Sequence, residues 1–345
     1  MLGARTYREI VEQPAAWAAA IRSFDRAAPE LDRLFRDRSP EEVILTGCGS
    51  SYYLSMTAAA AFQRVAGLRA RAVPASEILQ FPESVFVPGS HALLVASSRS
   101  GTTTETVRAL EVARRRGITT LSLTCASRSR LARQADLCIH SPKGRESSVV
   151  MTKSFSSLLL LGLLLAASRS TNPALSGELG QLAILGKRVI KVTLPLAQSL
   201  GAGASRFVFL GGGPAHGIAW EAMLKMTEMA QRPAVAYHPL EFRHGPIAAA
   251  GPGTVAVLFG SRAGARLEAD LAKDLRRHGA MVISLRDDWR SAAEVDVDVA
   301  LGVHLSDEAR CLLYLPFAQA LAFHRAVGLD LDPDCPRHLT HAVHL

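Results

Sequence analysis

The chain is poor in the features that mark a disulfide scaffold, a zinc protein or a membrane protein. It has five cysteines in 345 residues: Cys48, Cys125, Cys138, Cys311 and Cys335. The count is odd and no two form a C-x-x-C pair, which argues against a disulfide framework and against a zinc site. Such cysteines behave as small hydrophobes, and the compartment expected for them is reducing and cytoplasmic. The longest apolar run, Leu158 to Ala167, is too short for a bilayer span of about 20 residues. It reads as a helix buried in a core or at a subunit interface. The N-terminus lacks the apolar core of a signal peptide, because Arg5, Arg8, Glu9 and Glu12 interrupt it. Aromatics are only 6%, and none is interleaved with a basic tract, so the net charge of +8 does not point to nucleic acid. The clusters Arg114-Arg115-Arg116 and Arg276-Arg277 fall at the ends of expected helices, where the dipole favours cations.

What remains is an enzyme-like composition, 48% hydrophobic and 20% charged, long enough for about two domains. Short apolar strands alternate with helices throughout, which predicts parallel, doubly wound sheets. Residues 1–34 read as a helical arm. Val43-Ile44-Leu45 runs into Gly47-Cys48-Gly49-Ser50-Ser51 and then a helix from Tyr52. This turn is not G-x-G-x-x-G, and no Gly-Lys-Ser/Thr is present, so neither a dinucleotide nor a P-loop nucleotide is expected. Ala92 to Ser97 forms a second strand. It turns through Ser98-Arg99-Ser100-Gly101-Thr102-Thr103 into a helix from Glu105 to Arg116. A strand entering a helix this way aims free backbone N–H groups and the positive helix end at one spot. Ser98, Ser100 and Thr103 add hydroxyl donors, so the turn suits a phosphate, although a capping turn would use the same residue types. Thr152-Lys153-Ser154 opens the helix Ser156 to Ala167 and could complete a cradle. Lys153 beside a helix N-terminus is either solvated or recruited by a ligand or partner.

The plan then repeats. Arg206 to Gly213 mirrors the first strand and its glycine turn, and Val255 to Gly264 mirrors the second. The offset of roughly 160 residues fits two copies of one domain rather than a solenoid. In the second copy Ala263 stands where the first has Ser100, so the phosphate is expected in the first half. The second half carries Glu221, Lys225 and Glu228 along one helical face. That spacing alone would fit a solvated salt-bridge stripe. The helix leads, however, to His244 in the turn Phe242-Arg243-His244-Gly245-Pro246, and a carboxylate near a His and a Lys fits proton transfer on a sugar.

Taken together, these motifs in this order, with Pro336-Arg337-His338-Leu339 near the end, resemble the double sugar isomerase (SIS) family over about residues 35–345. Within it the chain is similar to the isomerase half of glutamine-dependent glucosamine-6-phosphate synthase and to glutamine-independent hexosamine-6-phosphate deaminase/isomerases. The resemblance implies two flavodoxin-like α/β domains in tandem, 35–185 and 186–330, and a tail, 331–345, closing over the site. It implies that Gly49, Ser50, Ser51, Ser98, Arg99, Ser100 and Thr103 bind the sugar phosphate and that the backbone of Val149 to Thr152 lines the sugar, with Lys153 nearby. It implies that Glu228 moves the proton between C1 and C2, that Lys225 and Glu221 support it, and that His244 opens the ring from across a homodimer interface. No metal or organic cofactor and no membrane partner is implied.

Two departures shape the expected reaction. The synthase's glutaminase domain has no counterpart here, so glutamine is not the expected nitrogen source. His341 occupies the place of the synthase's tail lysine; imidazole cannot form that imine, though it can move protons near neutral pH. Hence the expected activity is an aminosugar-6-phosphate deaminase/isomerase, with glucosamine 6-phosphate first and galactosamine 6-phosphate next. Alternatives are a phosphosugar aldose–ketose isomerase, a fructosamine-phosphate deglycase, or a sugar-phosphate sensor without turnover.

Overall fold

The computed structural model describes residues 2–200, 204–287 and 295–343. The chain forms two compact units. One comprises residues 12–183 with the tail from 338; the other comprises residues 1–11 with 184–337. In chain order the N-terminus supplies helices α1 (Ala4–Val11) and α2 (Gln13–Arg38). Strand β1 (Glu42–Gly47), α3 (Ser50–Ala61), β2 (Arg69–Pro74), α4 (Ala75–Gln80) and α5 (Pro82–Val85) follow. Then come β3 (Ala92–Ser98), α6 (Thr104–Arg115), β4 (Thr119–Thr124), α7 (Arg130–Gln134), β5 (Leu137–His140) and α8 (Lys153–Ala167).

The first sheet has the order β2-β1-β3-β4-β5, all parallel. Its central strand β3 is buried along its whole length, as expected for a strand covered on both faces. Ile44, Leu94, Ala109 and Val112 form part of the core between sheet and helices. The run Leu158 to Ala167 is a core helix within this unit. As part of α8 it packs on α2 and α3, and Trp17 of α2, fully buried, donates from Nε1 to Ser156 Oγ at 2.8 Å. Helix α8 starts three residues before the expected Ser156, because Lys153 and Ser154 complete its first turn.

Helix α9 (Ala174–Leu200) leads to β6 (Arg206–Gly211), α10 (Ala215–Ala230), β7 (Ala234–Tyr237) and α11 (Pro239–Phe242). The chain continues through β8 (Thr254–Phe259), α12 (Ala265–Arg277), β9 (Met281–Arg286), β10 (Val297–Ala300) and α13 (Asp307–Val327). The second sheet runs β10-β9-β8-β6-β7, again all parallel, so it has the same winding as the first. The expected pair of doubly wound parallel sheets is what the chain forms. Edge strands β7 and β10 carry little sequence signal, being four residues long. In β10 the polar Asp298 pairs with Arg286 at 2.7 Å on its neighbour. Helix α10 begins at Ala215, five residues before Trp220, because it starts directly from the glycine turn. A first turn holding His216 and Gly217 has weak propensity and is held by packing instead.

One glycine ties the local turn to the fold. Gly101 has φ +64°, and a Cβ there would lie 2.0 Å from Ser129 Oγ, the residue that caps α7. Gly117 has a similar φ of +72° but open space around it. Gly117→Ala should therefore cost only the left-handed strain, about 1 kcal/mol. Gly101→Ala adds a collision and should cost about 2 kcal/mol more. Thermal unfolding of the two variants side by side measures the difference; equal shifts would mean that the Ser129 contact does not constrain the turn.

Candidate active site

In the first sheet β1 and β3 are neighbours with Thr46 opposite Ala96, so the turns that follow them leave the same edge together. Ligands of such sheets bind at the carboxyl ends of the strands. Cys48 Sγ lies 3.5 Å from Thr106 Oγ1, which joins the first turn to the helix after the second. In the second turn Gly101 N–H donates to Ser98 Oγ at 3.0 Å, and the Ser98 and Thr103 hydroxyls are 3.3 Å apart. Ser100 Oγ accepts from Thr102 N–H at 3.2 Å. Ser50 and Ser51 are buried in the first turn of α3, while Gly49 is exposed. Thus Gly49, Ser50, Ser51, Ser98, Ser100 and Thr103 gather at one sheet edge at the starts of α3 and α6.

A third loop joins them, organised by Glu146, a residue that no sequence motif singles out. The Glu146 side chain is 0% exposed. Its Oε1 accepts from Thr152 N–H at 2.6 Å, Thr152 Oγ1 at 2.8 Å and Ser154 N–H at 3.1 Å; its Oε2 accepts from Ser154 Oγ and, at 3.3 Å, from Arg99 Nη1. Arg99 also reaches Ser148 O at 3.4 Å and His341 O at 3.0 Å. So Arg99 bonds to the loop that carries Val149 and Thr152 and to the C-terminal tail, and Thr104 N–H donates to Val343 O in that tail at 3.4 Å. The ring of His341 is exposed. Lys153 is paired: its Nζ lies 2.6 Å from Glu12 Oε2.

The corresponding turn of the second unit keeps the same inner bond, Gly264 N–H to Ser261 Oγ at 2.9 Å. The Ser261 donors of this turn are engaged from within the chain. Glu268 accepts from Ser261 N–H at 2.9 Å and from Ser261 Oγ at 2.7 Å, and a Cβ on Gly264 would lie 2.7 Å from its Oε1. Burial raises the Glu268 carboxyl above its ordinary value, against the lowering effect of the Ser261 hydrogen bonds. The buried Arg310 beside it is saturated by Asp287, Asp307, Tyr314 and the carbonyls of Leu305 and Gly260.

Helix α10 packs along α13 in this unit and presents Glu221, Lys225 and Glu228 on one face. Lys225 Nζ lies 2.5 Å from Glu228 Oε2 and 3.4 Å from Glu221 Oε1. Side-chain exposure rises from 0% at Glu221 and 1% at Lys225 to 18% at Glu228, so of the three only Glu228 reaches solvent. The stripe is therefore a buried cluster and not a solvated one. Burial alone would push the Lys225 ammonium down, but Glu221 and then Glu228 outweigh it and hold it above its ordinary value. His244 follows α11 on an exposed turn, its backbone N–H donating to Glu241 O at 3.0 Å. Among the described residues no hydrogen bond joins its ring to the α10 cluster. Removing the cation should be costly: Lys225→Met leaves the Glu221 charge buried without it, a loss of roughly 3–5 kcal/mol. Urea unfolding of Lys225→Met and of Lys225→Met with Glu221→Leu tests this, since the double variant should recover much of the loss. A single variant as stable as the parent would refute the buried-pair account.

A family model described as the SIS domain matches residues 38–168 and 202–322, which bracket the two sheets. Over 97% of its length the chain is 28% identical to the glutamine–fructose-6-phosphate aminotransferase (isomerizing) of Pyrococcus horikoshii. It covers 57% of that protein, so it spans little more than half the length of such relatives. Over 96% of its length it is 29% identical to a Streptomyces coelicolor protein provisionally named D-galactosamine-6-phosphate deaminase, covering 91% of that protein. The crystal structure of a glucosamine-6-phosphate deaminase from Thermotoga maritima matches with a TM-score of 0.77 at 29% identity, over 95% of this chain and 100% of that one. With both of its parallel sheets matched, the chain belongs to the SIS domain family.

Proposed function

We propose that the chain is an aminosugar-6-phosphate deaminase with isomerase chemistry. The observation that carries this reading is the division of labour between the units. One has a hydroxyl-lined turn pair at a sheet edge. In the other the matching turn is filled by Glu268, and a buried Glu–Lys–Glu cluster exposes a single carboxylate. A 6-phosphate would sit among Ser50, Ser51, Ser98, Ser100 and Thr103. There backbone N–H groups and the ends of α3 and α6 supply positive potential without a fixed charge.

In the reaction His244 assists opening of the pyranose. Glu228 takes the proton from C2 of the open aldose and returns it to C1 while an amine proton passes to O1, so the C1 aldehyde becomes a hydroxymethyl group and the C2 amine becomes a C2 imine. Water adds to that imine, and ammonia leaves with the ketose 6-phosphate. Lys225, held above its ordinary value by Glu221 and Glu228, stays cationic across the neutral range and orients the Glu228 carboxyl that accepts the proton. The deaminase reading over amine transfer rests on His341, whose imidazole cannot form an imine with the ketose. It is also supported by the deaminase relatives, which this chain matches over nearly their full length. We further propose that His244 serves the site of a second copy in a homodimer. Its exposed turn and its ring, without a hydrogen-bond partner among the described residues, leave it available.

Ammonia release from glucosamine 6-phosphate and galactosamine 6-phosphate, measured in parallel with ketose phosphate, tests the reaction and ranks the epimers. Thermal stabilisation by both sugars without ammonia would instead indicate an isomerase or deglycase acting on another phosphoketose, or a sensor. Glu228→Gln should lower turnover by roughly a hundredfold to ten-thousandfold while leaving sugar-phosphate binding intact. Undiminished activity would remove Glu228 from the mechanism.

Mixing inactive Glu228→Gln with inactive His244→Ala tests the shared site. Random exchange into dimers should restore about a quarter of parental activity, because half the dimers are mixed and each has one intact site. No recovery after confirmed subunit exchange would place both groups in one chain's site.

A further inference from the structure

The segment Val149-Val150-Met151 has no helix or strand of its own, and holding each such residue in one conformation costs about 1–2 kcal/mol. Both of its ends are gripped by one ion pair. Before it, Ser148 O accepts from Arg99 Nη1 at 3.4 Å; after it, Thr152 N–H and Oγ1 donate to Glu146 Oε1 at 2.6 and 2.8 Å. Arg99 Nη1 donates to Glu146 Oε2 at 3.3 Å, which closes the clamp. The carboxylate reaches six and eight residues ahead, to Thr152 and Ser154, so this is not the local capping expected at a helix start. Burying a carboxylate costs several kcal/mol unless it is fully bonded. Nothing in the core requires that cost, since α8 already packs its leucines against α2 and α3.

We infer that Glu146 is a positioning residue. Through Arg99 and Thr152 it sets the backbone of Val149–Met151 in its ligand-facing shape before substrate arrives, and through Arg99 it links that backbone to the tail at His341 O. This rests on the sugar-phosphate reading of the same site. The phosphate turn keeps its own bonds, Gly101 N–H to Ser98 Oγ and Thr102 N–H to Ser100 Oγ, neither of which involves Glu146. The clamp therefore acts on recognition of the sugar and not of the phosphate.

The test compares binding of fructose 6-phosphate and of inorganic phosphate to the full chain by calorimetry, in parental protein, Glu146→Gln, Glu146→Asp and Arg99→Met. Gln keeps the volume but turns an amide donor toward Arg99 or Ser154. Glu146→Gln should weaken the sugar phosphate by about tenfold or more and leave inorganic phosphate within about twofold. Asp, which keeps the charge, should fall between Gln and the parent. Arg99→Met opens the clamp from its less buried side and, even if Glu146→Gln does not fold, should weaken fructose 6-phosphate by a larger factor than inorganic phosphate. A purely stabilising role would lower the melting temperature and the active fraction without changing the ratio of the two affinities. Folded Glu146 and Arg99 variants with the parental ratio would overturn the inference alone. A parental protein that binds fructose 6-phosphate no better than inorganic phosphate would overturn the sugar-phosphate reading with it.

Discussion

Parallel pairing of β1 with β3, with Thr46 opposite Ala96, obliges two chain segments to leave the first sheet side by side at its carboxyl edge. Each then has to turn into a helix within a few residues, so backbone N–H groups are left without intrahelical partners there. Small residues with hydroxyls suit that edge, because they let the backbone come close and add donors without adding a charge that would need a counterion. The rest of the first unit follows from it. Gly101 seats the second turn against Ser129, Cys48 joins the first turn to α6, and Arg99 bonds from the second turn to the loop before α8.

The second unit meets the same obligation with different chemistry. Its turn after β8 retains the serine-to-glycine bond, Ser261 with Gly264 in place of Ser98 with Gly101. Around that shared bond the groups diverge. Ala263 and Arg266 stand where the first turn has Ser100 and Thr103, and Glu268, from the position matching Glu105, folds back onto Ser261. In this duplicated nest the Ser261 donors are already taken by a carboxylate of the same chain. That frees the second unit to invest in α10, whose buried cluster would be of no use as a phosphate site.

The sequence made the sheets readable because parallel strands are continuous apolar runs, and the turns readable because glycine and hydroxyl residues cluster in them. It marked Lys153 as misplaced against a helix dipole, but its partner Glu12 lies 141 residues away, so the pairing could not be read locally. Edge strands β7 and β10, four residues each, are too short to show periodicity. Glu146 was invisible for a different reason. Nothing separates it from any acid in a polar loop until its reach to Thr152, Ser154 and Arg99 is seen in three dimensions. Glu221 and Lys225 were legible as a stripe, but their spacing fits a solvated face equally well, and only packing against α13 shows that they are buried.

The buried ionic arrangements around Glu146 and around Lys225 differ in their bonding, and that difference distinguishes what each can do. Both oxygens of Glu146 accept from donors of the chain itself, among them the Arg99 guanidinium. A carboxylate so bonded is engaged on both oxygens by donors that fix the loop, which is the arrangement of a group that holds shape. Lys225 is divided between two carboxylates of unequal exposure, so the fully buried Glu221 anchors the ammonium while Glu228 keeps access to solvent. A base must be charged, oriented and reachable at once, and a lone carboxylate in an apolar site would be neutralised by desolvation. Anchoring the lysine from below with a second acid places a cation against Glu228 without enclosing it. In the proposed reaction that is why the proton carrier has to be the outermost member of the cluster.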